Sequence, residues 1–138
     1  MKEAINDKVK HRQWFRPFAP TILKEHAPLW FDNYIESPYM QFVLPVKDEK
    51  KKLVPAVVHF DGTARLQTVD KFHNLWYHDF LTKWEHESGV PILLNTSFND
   101  REPICENPTH AINCFLGTNI DCLYFPKQKK ILIKEEDT

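Results

Sequence analysis

Three glycines against ten prolines, in a chain of 138 residues, set the first limit on what this sequence can build. Glycine lets backbone turn through positive φ and lets a phosphate approach the main chain. With glycine only at positions 62, 89 and 117, neither a GxGxxG nor a GxxxxGK[ST] loop can be written anywhere in the chain. A phosphate ligand would have to be held by side chains and helix ends. The prolines restrict the backbone further, since each fixes φ and biases its predecessor toward extended geometry. Residues 15–20, FRPFAP, therefore cannot be helical throughout.

The balance of the composition is that of an ordinary soluble globular protein, 42% hydrophobic and 27% charged. One compact domain is the expectation at this length. A net charge of -1 gives no global basic field to attract nucleic acid. There is no run of about 18 apolar residues, so no membrane-spanning helix is predicted. Residues 1–14, MKEAINDKVKHRQW, lack an apolar core and do not read as a signal peptide. Cys105, Cys114 and Cys122 are odd in number without a CxxC, which reads as reduced structural thiols in a cytoplasmic protein.

Along the chain, a short helix is predicted at about 21–30. Residues 39–46 read as a strand and 47–52, KDEKKK, as a solvated loop. The β-branched run 53–60, LVPAVVHF, reads as a buried strand ending in an Asp61-Gly62 turn. The clearest helix is 70–88, with Asp70 as N-cap and Gly89 as its stop. Phe72, Leu75, Trp76, Phe80 and Trp84 recur mostly at three- and four-residue steps, and the two tryptophans read as core. A strand follows at 90–95. Asn107-Pro108 opens a second helix whose apolar face is Ala111, Cys114 and Phe115 and whose end is Gly117. Strands at 120–125 and 130–134 close the chain. The class is mixed α/β or α+β, a twisted mixed sheet with flanking helices.

Three polar clusters carry the chemical interest. KHRQWFRPFAP holds Lys10, Arg12 and Arg16. HFDGTARLQTV holds His59, Asp61, Thr63, Arg65 and Gln67. NTSFNDREP holds Asn95, Thr96, Ser97, Asn99, Arg101 and Glu102. Arginine forks match phosphate oxygens, and lysine supplies a mobile point charge. Two clusters follow apolar strands, where open α/β sheets bind ligands. The set suits an anionic ligand such as a nucleotide or an acyl phosphate. Each cluster has a plainer reading. Residues 95–99 could be a turn that caps its own backbone, DGTAR a hairpin turn, and Lys10, Arg12 and Arg16 a solvated face. The histidines show no metal spacing, since His73 and His78 lie five apart and off one helical face.

KHRQWFRPFAP, HFDGTARLQTV and LLNTSFNDREPI stand in the order of the motifs of the carbamoyltransferase C-terminal domain, and from about Lys8 to about Leu132 the chain resembles it. This is the YrdC-like half of O-carbamoyltransferases such as nodulation protein U and the tobramycin and cephamycin enzymes. The resemblance implies a YrdC-like fold that binds ATP, with its Mg²⁺, and carbamoyl phosphate, and makes carbamoyl-adenylate. Lys10 and Arg12 match the family's basic element, and Ser97 and Asn99 its S-x-N element. By the same resemblance Lys10, Arg12 and Arg65 are the catalytic cations. Arg16, His59, Asp61, Thr63, Asn95, Thr96, Ser97 and Asn99 are nucleotide- or carbamoyl phosphate-binding. A separate transferase domain, in cis or in trans, would pass the carbamoyl group to a hydroxyl.

Two departures accompany the resemblance. The family's arginine-bearing RALGNRSI-type segment has no counterpart here, and Arg101 stands where the family tends to have glycine. Two other readings therefore stay open: a non-catalytic nucleotide-binding or docking module for a separate transferase domain, and an RNA-binding YrdC-like module.

Overall fold

The computed structural model describes Ile5, Asn6 and residues 18–135. These fall into two compact units divided between Thr96 and Ser97. The fold is mixed α/β, as the sequence predicts, with its strands in three small sheets among the described residues. No helix among them is long and apolar enough to cross a membrane.

The first unit is organised on β1 (Ala19–Leu23), the middle of a three-stranded sheet. It pairs in parallel with β4 (Gln67–Val69) and antiparallel with β5 (Ile92–Asn95). All five residues of β1 are buried. Pro20 is tolerated in this central strand because the register with β4 starts one residue later, at Thr21–Gln67. A second sheet pairs β2 (Val43–Pro45) with β3 (Thr63–Arg65). Ile22, Trp30, Phe31, Leu44, Val46, Leu66 and Ile92 pack into one apolar cluster. Leu23, Val69 and Leu81 form another.

Several expectations need correction. The helix expected at 21–30 is β1 and then a 3-10 turn, Ala27–Leu29. A five-residue run buried on every side carries no helical period, and Pro28 limits the helical geometry after it to a single turn. The buried strand expected at 53–60 is a series of turns, with Leu53, Val54 and Val57 amides bonded to Lys50, Lys51 and Val54 carbonyls. Pro55 sits inside the run and has no N–H for a ladder. The loop at 47–52 contains one exposed helical turn, α1 (Asp48–Lys51).

The long helix is α2 (Leu75–Ser88), and its cap is Asn74, whose side chain accepts from the Tyr77 amide, rather than Asp70. Asp70 caps the preceding turn through the Phe72 amide and accepts from Lys24. Gly89 ends α2 at φ 72°. The helix buries Leu81, with Tyr77 packed beside it. The expected core stripe is exposed instead: Phe72 by 85%, Trp76 by 48% and Phe80 by 42%. Trp84 is exposed too, although its indole N–H reaches the Ile92 carbonyl.

The second unit holds α3 (Pro108–Gly117) and the antiparallel pair β6 (Cys122–Phe125) and β7 (Lys130–Ile133). Asn107 caps α3 by accepting from the His110 amide, and Ala111, Cys114 and Phe115 are buried, as predicted. Lys134 fastens the far end, donating to the Thr118 carbonyl and lying over the Phe115 ring.

Candidate functional site

Lys10, Arg12 and Arg16 lie outside the described residues. The other sequence-derived candidates form three local groups.

The first group is the turn before β3. Asp61 accepts from both the amide and the hydroxyl of Thr63, at 3.0 and 2.7 Å. The same hydroxyl meets His59 Nδ1 at 3.1 Å. The Thr63 hydroxyl and amide hold the Asp61 carboxyl below the usual carboxylate range, so it stays ionised near neutrality. Gly62, at φ 82°, closes the turn. His59, Asp61 and Thr63 thus come together, and they do so by bracing one another. Arg65 stands on β3, exposed, and makes no ion pair with a described residue.

The second group surrounds Gln67, which opens β4. Its Oε1 accepts from Thr21 Oγ1 at 2.9 Å and from Asn95 Nδ2 at 2.5 Å, while its Nε2 donates to the Pro38 carbonyl at 3.3 Å. Asn95 stands at the C-terminal end of β5, half-buried, with Thr96 next to it. Gln67 belongs to the HFDGTARLQTV motif, yet the sequence assigns it no role. Its importance comes from a partner 28 residues away, a pairing that periodicity does not reveal.

The third group is the loop after β5, in the second unit. Ser97 donates to Asn99 Oδ1 at 2.6 Å, and Asn99 Nδ2 donates to the Glu102 carbonyl at 2.8 Å. The Glu102 carboxylate accepts from the amides of Asp100 and Arg101. Backbone amides, its own first, hold that carboxyl below its ordinary value. Beside this loop is a cavity of about 520 Å³ walled by Asp100, Glu102, Glu106, His110 and Cys114 among others. Burial first, then the neighbouring Cys105 and Glu102, push the Cys114 thiol up to about 11. In the first unit, a cavity of about 540 Å³ is bordered by Gln67, Tyr39, Tyr77, Glu36 and Asp70. Lys24 Nζ sits 2.9 Å from each of those two carboxylates. Among the described residues, no lysine or arginine lines either cavity. Among the same residues no group of three or more His, Cys, Asp and Glu side chains could hold a metal ion.

This geometry supplies fixed hydrogen-bonding groups at one end of a sheet and, on β3 of the second sheet, an exposed arginine without an ion-pair partner among the described residues. Comparison with known proteins gives it a family. Residues 1–131 match the family described as carbamoyltransferase C-terminus. The chain is 47% identical over 126 residues to nodulation protein NolNO of Sinorhizobium fredii, covering 88% of this chain and 18% of that one. It is 44% identical over 126 residues to nodulation protein NolO of Bradyrhizobium diazoefficiens, covering 88% and 23%. It is 42% identical over 99 residues to nodulation protein U of Rhizobium tropici, covering 72% and 17%. The chain therefore spans about a fifth of the length of these relatives. Motif order, residue match and extent agree, and the chain belongs to the carbamoyltransferase C-terminus family.

Proposed function

We propose that this chain is the nucleotide- and carbamoyl phosphate-binding part of a carbamoyltransferase, and that it converts ATP, carbamoyl phosphate and water to carbamoyl-adenylate, pyrophosphate and phosphate. The observation that carries the reading is the family match across residues 1–131. Arg65 supports it, as an exposed guanidinium without a described ion-pair partner, two residues from the Gln67 anchor. Lys10, Arg12, Arg16 and Arg65 would offset negative charge on the phosphates as the adenylyl group moves, the main catalytic resource in such transfers. Ser97 and Asn99 would contribute neutral hydrogen bonds from their loop. Mg²⁺ would arrive with ATP as part of the substrate, carried mainly by the phosphates. A transferase-type domain, in cis or in trans, would receive the activated carbamoyl group.

Calorimetric titration of the chain with ATP and Mg²⁺, with and without carbamoyl phosphate, tests this reading. Saturable ATP binding that weakens in Arg65→Ala is expected. A folded wild-type chain that binds no ATP overturns it.

A docking role without catalysis is a second reading, favoured by the exposed aromatics Phe72, Trp76 and Phe80. Its occupant would be the transferase-type domain, because the nodulation relatives extend well beyond the matched fifth. Co-elution with that domain, lost in a Trp76→Ser, Phe80→Ser double variant, is expected. Unchanged co-elution sinks this reading.

A further inference from the structure

The hydrogen bonds around Gln67 fix which way Asn95 faces. The Pro38 carbonyl can only accept, so the Gln67 group facing it at 3.3 Å must be the amide nitrogen. That turns Gln67 Oε1 toward Thr21 and Asn95. An oxygen there requires a donor from Asn95, so the Asn95 amide nitrogen points inward. Its two hydrogens are directed at Gln67 Oε1, at 2.5 Å, and at Met40 Sδ, at 3.9 Å. Rotating the Asn95 amide by half a turn would set two carbonyl oxygens against each other. Rotating both amides would set Gln67 Oε1 against the Pro38 carbonyl. Asn95 is therefore held as an acceptor: its Oδ1 is the atom left over, and among the described residues none donates to it.

An acceptor oxygen repels phosphate and takes an N–H or O–H group. The proposed substrates share one such chemistry, an amino group on an sp² carbon. Carbamoyl phosphate carries it beside its carbonyl, and adenine carries it at the 6-position.

We infer that Asn95 Oδ1 is a specificity determinant that reads this amino group, with Gln67 as the positioning residue that keeps the acceptor facing outward. The inference rests on the proposed function and deepens it, for it narrows Asn95 from nucleotide or carbamoyl phosphate binding in general to recognition of an amino group. Gln67 needs no contact with ligand. Its role is to make the wrong orientation of Asn95 unfavourable.

Paired ligands test this with the full chain and Mg²⁺. Acetyl phosphate replaces the carbamoyl amino group by methyl. Inosine triphosphate replaces the adenine amino group by a ring carbonyl. Wild type is expected to prefer the amino member of one pair by about 3- to 10-fold, the range of one net hydrogen bond. Asn95→Ala abolishes that preference by weakening the amino member of the pair. Loss in the acyl phosphate pair identifies the carbamoyl group as what is read, and loss in the nucleotide pair identifies adenine. Gln67→Leu gives the same loss without altering the reading atom, so it serves if Asn95→Ala does not fold. A preference that survives Asn95→Ala, or equal weakening of all four ligands, overturns the inference. Wild type that binds ATP but discriminates in neither pair overturns the inference alone. Wild type that binds none of the four overturns the proposed function with it.

Discussion

His78 Nε2, on α2, lies 2.6 Å from a carboxylate oxygen of Glu25, just beyond the end of β1. The next residue repeats the contact with the roles exchanged, His26 Nδ1 lying 2.7 Å from Glu85. Two adjacent residues after β1 thus grip α2 at positions two helical turns apart, above the buried Leu81.

The grip is pH-dependent in a definite direction. Burial raises the pKa of Glu25, but its backbone amide and His78 outweigh that, and the carboxyl is held below its ordinary value. A depressed folded-state pKa stabilises above the unfolded pKa, and the contribution is lost as pH falls through the folded value. The Glu25 side chain is half exposed, so Glu25→Gln is expected to cost only about 0.5 kcal/mol at pH 7. The deficit should shrink as the solution is acidified below the ordinary glutamate range, about pH 4.3. Thermal melts of both proteins at pH 7 and pH 3.5 check this, and a deficit that grows on acidification contradicts it.

The two sides of α2 should respond unequally to truncation. Leu81 is fully buried against Leu23 and Val69, so Leu81→Ala is expected to cost about 2–5 kcal/mol. Trp76→Ser, on the exposed side, is expected to cost less than about 1 kcal/mol. Urea unfolding of the two variants decides the matter, and a Trp76→Ser loss matching that of Leu81→Ala would mean the indole is core.

Gly62 and Gly89 make a controlled pair. Both have positive φ, 82° and 72°, but a Cβ at Gly62 would come within 2.7 Å of Lys51 Nζ, whereas at Gly89 nothing lies within 4 Å. Each alanine variant is expected to cost about 1–2 kcal/mol from backbone strain. Gly62→Ala should lose more, because Lys51 must also leave Asp48, 2.6 Å away. Measured in a Lys51→Ala background by urea unfolding, Gly62→Ala should cost no more than Gly89→Ala does, and an excess that persists there shows that the lysine is not its cause.

Two of the three thiols, Cys114 and Cys122, should separate by reactivity. Cys122 is exposed and Cys114 buried, and burial raises the Cys114 pKa to about 11. Since only the thiolate attacks, Cys122 is expected to label at pH 7.5 at least about 100-fold faster than Cys114. Mass-spectrometric peptide mapping during labelling reads the order, and comparable rates at the two positions would be inconsistent with this packing.

Legibility in the sequence tracks the range of the interactions. Local signals are readable: Asn107-Pro108 opening α3, Gly89 stopping α2, and the strand ending at Asn95. The α2 aromatics mislead because periodicity states that a helix has an apolar stripe, not which surface it meets. β1 misleads because a strand buried on both sides carries no alternation. In the candidate site, the His59–Asp61–Thr63 turn is legible as a turn from Asp61-Gly62. The facing of Asn95 is not, since it depends on Met40, Pro38 and Gln67, all distant in sequence.

The central position of β1 has a consequence for how the protein is made. The strand leaves the ribosome before either of its partners, for Thr21 pairs with Gln67 on one side and with Leu93, 93 − 21 = 72 residues later, on the other. At translation rates of about 5–20 residues per second, the nascent chain carries an uncovered apolar strand for on the order of several seconds before β5 emerges. That interval is a window for chaperone capture or for misassembly between neighbouring nascent chains. A synonymous change that slows translation between Val69 and Ile92 would lengthen the window without altering a single atom of the folded protein.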